Sequence, residues 1–156
     1  MNLLLRILYV GLRALFKERI PIGASASHLS LRVMPNDLDL NLHMNNGRYL
    51  SICDLNRVDL FIRSGLLKTM IKRRWIAVIA EQTIKYKKPL ALFERYDVIL
   101  EVTHWDDKYF YMTHTFSNPE RVIAEGTAMG AIKSRNGVVT PAEVIAAVEQ
   151  DRAGRK

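Results

Sequence analysis

The stretch Asn36–Asn46, NDLDLNLHMNN, holds two aspartates, four asparagines and a histidine within eleven residues. In an extended segment alternate residues share a side, so Asp39, Asn41 and His43 fall together. Leu38, Leu40, Leu42 and Met44 would then anchor the opposite side. Such a row presents a carboxylate, an amide and an imidazole to one cleft. The carboxylate can attack or act as general base, the imidazole can move a proton near neutral pH, and the amide can orient either. A helix is predicted directly downstream, and the N–H groups at its start are electropositive and able to polarise a carbonyl oxygen. These parts suit acyl transfer. The same residues also have structural uses, Asn45 or Asn46 as a helix cap and Asp37 as a turn former.

The elements around the row follow from periodicity and punctuation. HLSLRVMP alternates as a strand, with Leu29, Leu31 and Val33 on one face. Asn46 to Leu66 carries apolar side chains nearly all round a helical wheel, which predicts a helix buried on most sides and stopped by Gly65. From Trp75 the period shortens. WIAVIAEQTIKYKK reads as a strand ended by Pro89, and YDVILEVTHW and YFYMTHTF read as a hairpin across DDK. RVIAEGTAMGAIKS continues as a strand in which Gly126 and Gly130 mark bends, bulges or close backbone approaches. Asn136–Gly137 is a turn, and Pro141 opens a last helix running to about Gln150. The order predicts an α+β fold, an antiparallel sheet packed on one long helix. The late strands are apolar on both faces, which calls for cover from a second subunit.

The chain has 156 residues and a net charge of +7, which bounds it to one domain with a possible anionic partner. A single cysteine, Cys53, rules out an internal disulfide and fits a reducing compartment. At the N-terminus, MNLLLRILYVGLRALFKER is apolar but interrupted by Arg6 and Arg13, too broken for a spanning helix. GASAS at 23–27 offers the small residues of a processing site, although the charge lies inside the apolar run rather than before it. On a wheel, Arg6, Arg13 and Lys17 form a narrow basic stripe opposite a wide apolar face. Two readings remain open for it: a helix docked on the domain or a subunit interface, and one lying on an anionic membrane surface through residues 1–19. The division predicted is 1–24 for this amphipathic helix and connector, and 25–156 for a single domain.

DLDLNLHMNN closely resembles the DxDxNxHxNN turn of hotdog-fold thioesterases, including the plant acyl-carrier-protein thioesterases. The long helix after it, YKKPL, FERYDV and VTHWDDKYFY resemble the branch of thioesterase superfamily member six-like proteins. The resemblance covers roughly 29–133. It implies a hotdog fold and an acyl thioester hydrolase, most readily an acyl-coenzyme A thioesterase of fatty acid metabolism. Asp39, Asn41 and His43 would be the catalytic group, as in the plant enzymes. In related 4-hydroxybenzoyl-coenzyme A thioesterases the counterpart of Asp39 is the essential carboxylate, and an N–H at the helix start, here near Asn46, polarises the carbonyl. One departure stands out. The plant enzymes carry a further glutamate and cysteine where this chain has Pro89 and Leu90.

Other candidates are weaker. Asn45 and Asn46 at the helix start, with Lys87 and Lys88, are expected to bind substrate, the lysines through coenzyme A phosphates. Lys72, Arg73 and Arg74 form a second basic cluster, and all these charges equally suit a solvated face. Cys53 reads as a core thiol; His28, His104 and His114 read as edge or surface residues without metal spacing. Trp75 and Trp105 read as core or interface anchors. No cofactor is expected beyond coenzyme A as part of the substrate, no metal, and no nucleic acid, since aromatics do not interleave with the basic residues. A homodimer or homotetramer with sites at the subunit interface, cytoplasmic or peripherally membrane-bound, completes the expectation. The alternatives from other classes are a non-catalytic acyl-binding or scaffold protein, and a membrane-surface protein whose first helix does the main work.

Overall fold

The computed structural model describes residues 3–154. The elements are α1 (Leu3–Phe16), β1 (Ser27–Arg32), a 3-10 turn (Pro35–Asp37), α2 (Asn46–Ser64), α3 (Leu66–Arg73), β2 (Ile76–Tyr86), β3 (Arg95–Trp105), β4 (Phe110–Asn118), β5 (Arg121–Ser134), β6 (Gly137–Val139) and α4 (Pro141–Ala153). All strand pairs are antiparallel, in the order β1-β3-β4-β5-β2, with β6 also on β5. The sheet carries α2 on one face, the hotdog arrangement.

α2 begins and ends where its sequence says. Asn45 caps it by accepting the Gly47 N–H at 2.8 Å, and Gly65 closes it in the left-handed region at φ 86°. Its buried residues face two sides. Towards the sheet, Tyr49, Ile52, Cys53 and Leu55 join Tyr96, Val98, Phe116 and Ile123 in one core cluster; Leu60 joins Leu100, Met112, Ile132 and Val144 in a second. Buried Asn56 and Asp59 both take the Ser27 hydroxyl, at 2.6 and 2.7 Å, so the helix is also keyed to β1 by polar groups.

Several expectations need correction. α3 and β6 were not predicted, being too short to establish a period. His114 is 1% exposed rather than at an edge or surface, because it shares with Met112 and Phe116 the face of β4 turned to α2. Exposure on both faces belongs to β2, an edge strand; β4 alternates, and β5 is buried at consecutive positions, Ile123 with Ala124 and Gly130 with Ala131 and Ile132. Gly126 is a close approach: a Cβ there would meet the Thr83 carbonyl at 2.8 Å.

The basic stripe of α1 is also turned differently from a lipid-facing one. α1 packs on the core through Val10 and Ala14, and the stripe points inward with them: Arg6 pairs with Asp37 at 2.5 Å and Lys17 with Asp59 at 3.2 Å. Arg13 alone of the three is exposed, resting on the Tyr9 ring. Ion pairs offered by the domain decide the orientation, and they leave the leucine face outward. Among the described residues no helix is long and apolar enough to cross a membrane.

Candidate active site

Residues 37–45 close on themselves as a small antiparallel turn. Leu38 bridges Met44, Asp39 N–H donates to the His43 carbonyl at 2.9 Å, and Asn45 N–H donates to the Asp37 carbonyl at 2.8 Å. Inside it, Asp39 Oδ1 accepts the Asn41 N–H at 2.8 Å and the His43 N–H at 3.4 Å. An aspartate that ties its own backbone two residues on is a turn maker by chemistry. Leu42 takes the reversal at φ 59°. The turn therefore does not run extended, and this corrects the expected anchoring. Leu38 and Met44 do pack inward, but Leu40 and Leu42 at the tip stand in solvent.

Asp39, Asn41 and His43 nevertheless come together. With Asn46, Lys87 and Lys88 they line one open cavity of about 350 Å³, whose wall continues through Met44, Tyr49, Tyr86 and Pro89. The turn is held against the following strand region by Met44 N–H to the Leu90 carbonyl, at 2.9 Å, and by the bridge from His43 to Ala91. This juxtaposition brings the row and the start of α2 to the same hollow, so a carboxylate, an imidazole and a helix N-terminus line one cavity.

Asn45 is part of the helix cap rather than the cavity wall, so of the two asparagines expected to bind substrate the structure puts Asn46 at the hollow. Lys87 is partly committed, 2.7 Å from Glu125, while Lys88 is exposed with no such ion pair among the described residues. Lys72 and Arg73 are drawn to Asp151 on α4 and lie outside this site. Pro89 sits in the wall of the hollow, and Leu90 beside it is fully buried.

Two contributors escaped the sequence. Tyr86 lines the hollow and donates its hydroxyl to the Asn46 carbonyl at 3.0 Å; its only sequence signal is its place just before Lys87–Lys88. Asp37 is more than a turn former: at 1% exposure it accepts the Met34 N–H at 2.9 Å and pairs with Arg6. Cys53 is a core thiol, as expected; burial pushes it up to about 12, so it stays protonated. Among the described residues no three His, Cys, Asp or Glu side chains gather as a metal site.

Residues 33–148 match the family model of the thioesterase-like superfamily. The chain belongs to that superfamily. It is 42% identical over 84 residues to Protein THEM6 of Xenopus laevis, covering 54% of this chain and 41% of that protein. To Protein THEM6 of Danio rerio it is 35% identical over 112 residues, covering 72% and 55%. This superfamily member thus spans about half the length of the curated relatives it matches. Among solved structures, the probable thioesterase YbaW of Escherichia coli superposes with a TM-score of 0.73 at 20% identity, over 80% of this chain and 97% of that one. A Staphylococcus aureus protein, SAV2348, solved in complex with CoA, gives 0.70 at 15% identity, over 89% and 90%. These likenesses establish the hotdog fold.

Proposed function

We propose that this superfamily member hydrolyses acyl thioesters, with acyl-coenzyme A as the preferred substrate. The observation that carries the reading is the single hollow shared by Asp39, Asn41, His43 and the start of α2. Asp39 takes a proton from water as the water oxygen attacks the thioester carbon. Acting instead as nucleophile, its carboxylate would displace the thiolate to form an acyl-aspartyl anhydride, which a water then hydrolyses to the free acid and Asp39. The carbonyl oxygen gains charge against the N–H groups near Asn46. The C–S bond then breaks, and the thiolate leaves with the proton returned through Asp39 or His43, while Asn41 orients the pair. Lys88, with Lys87, lies where the phosphates of coenzyme A or of a carrier protein's pantetheine arm would be attracted. No other cofactor is required. The test is thiol release from acyl-coenzyme A of graded chain length, beside acyl carrier protein as donor, for wild type and Asp39→Asn. Release by wild type alone supports the assignment, and equal rates in both sink it.

A non-catalytic acyl-binding role is the competing reading, favoured by the proline in the wall where the plant enzymes keep a carboxylate. It predicts acyl-coenzyme A binding with no thiol release.

We further propose a homodimer, or a tetramer built from it, formed through β2, with the protein in the cytoplasm and in touch with anionic membrane through residues 1–19. β2 supports the first part, because among the described residues it pairs only with β5 and leaves its other edge open. The outward leucines of α1 support the second. Co-sedimentation with vesicles, with and without residues 1–19, tests it; binding unchanged by the truncation would reject the helix as the anchor.

A further inference from the structure

α1 lies outside the 33–148 stretch that matches the superfamily, yet it supplies a charge to the turn that carries Asp39. Arg6 is 3% exposed and its Nη2 stands 2.5 Å from Asp37 Oδ2. Asp37 is the fastening point of the turn. Its carboxylate holds the Met34 N–H, its carbonyl holds the N–H of the α2 cap Asn45, and Arg48 Nε approaches its second oxygen at 3.6 Å. A carboxylate this deep is costly to bury without a counter-charge beside it. Lys17, just past the end of α1, grips Asp59 of α2 on the same side, so an ion pair near the start of the helix and one beyond its end fasten it.

The opposite face is apolar and uncovered. Leu5, Leu8, Tyr9, Leu12, Leu15 and Phe16 are all exposed, Phe16 at 89%, and together they span an arc of about 120° without a charge. In water this orientation leaves the leucines uncovered, and a roll that buried them would carry Arg6 away from Asp37. A lipid interface removes that competition by covering the leucines where they are. Arg13 at the edge of the arc and Arg19 just beyond the helix, both exposed on a chain of net charge +7, favour anionic headgroups.

We propose that α1 is a lipid-seated clamp on the catalytic turn: an anionic bilayer under the leucine face holds Arg6 against Asp37, and Arg6 thereby positions Asp39 and the start of α2. The catalytic consequence rests on the thioesterase reading; the clamp itself does not. The test follows backbone amide exchange at Asp39 and Asn45, and hydrolysis of water-soluble hexanoyl-coenzyme A, with and without vesicles containing phosphatidylglycerol. In the wild-type chain, vesicles slow exchange at both amides by about tenfold and raise kcat at unchanged KM. Arg6→Leu still binds vesicles but exchanges faster and gains neither effect, whereas Arg6→Lys recovers part of both. Leu8→Ser/Leu12→Ser loses vesicle binding and with it the response. The clamp is overturned if Arg6→Leu responds as wild type does, if vesicles are not bound, or if bound vesicles leave exchange unaltered. Self-association through the leucine face in place of lipid binding overturns it too. Slowed exchange without any thiol release removes the hydrolase reading and leaves the clamp standing; thiol release indifferent to Arg6 does the reverse.

Discussion

Asp39 spends one carboxylate oxygen on the turn's own amides, at 2.8 and 3.4 Å, and this makes Asp39→Asn an unusually clean substitution. The asparagine oxygen keeps those bonds while the charge is lost. Activity is expected to fall about 100-fold or more, with the melting temperature near that of wild type, as read by thiol release beside thermal unfolding. His114 gives a prediction of a different kind. Burial, with the Arg57 charge second, pushes its ring down to about 3, and neither ring nitrogen has a partner among the described residues. The folded protein therefore holds this histidine neutral, while the unfolded chain takes up its proton near pH 6.5. Its contribution is complete above that pH and is lost as the pH falls from there towards 3, by up to roughly 1.4 kcal/mol per unit. His114→Leu should flatten the fall in urea midpoint between pH 6.5 and 4; an unchanged profile would refute the assignment. The row Asp39, Asn41, His43 was legible because its members are neighbours in the chain. The Arg6–Asp37 pair was not, since its partners stand 31 residues apart.

The bounds of α2 are set locally. Asn45 and Gly65 are read directly from cap chemistry, which needs only a few adjacent residues. Asn45→Ala should cost about 1 kcal/mol in urea unfolding. Because that cap also shapes the proposed oxyanion site, kcat should fall with it, and a loss of stability alone would separate the two roles. α1 marks the limit of such reading. Its pattern tells which residues share a face, but the pattern is the same whichever face is covered. Buried Asp37 and Asp59 draw the arginine and lysine inward, and they belong to other elements.

For the molecule as a whole, β2 is the strand that asks for company. Ile76 is 59% exposed and Ile79 38%, on a strand with one open edge. Ile79→Lys is expected to convert the protein to a monomer in sedimentation experiments and to lower turnover with it, if the sites form across the interface. A variant that keeps both assembly and activity would place the interface elsewhere. The sequence alone determined the α+β order, a long buried helix from Asn46 stopped by Gly65, the hotdog family and the row of residues that could do acyl chemistry. Each of these depends on periods, caps or spacings contained within a short stretch of chain. Only the tertiary structure decided that Leu40 and Leu42 face water, that His114 is buried, and that Tyr86 and Pro89 wall the hollow. It also decided that α1 turns its basic stripe inward. Those outcomes depend on which distant groups compete for the same burial and the same counter-charge, and that competition exists only once the chain has folded.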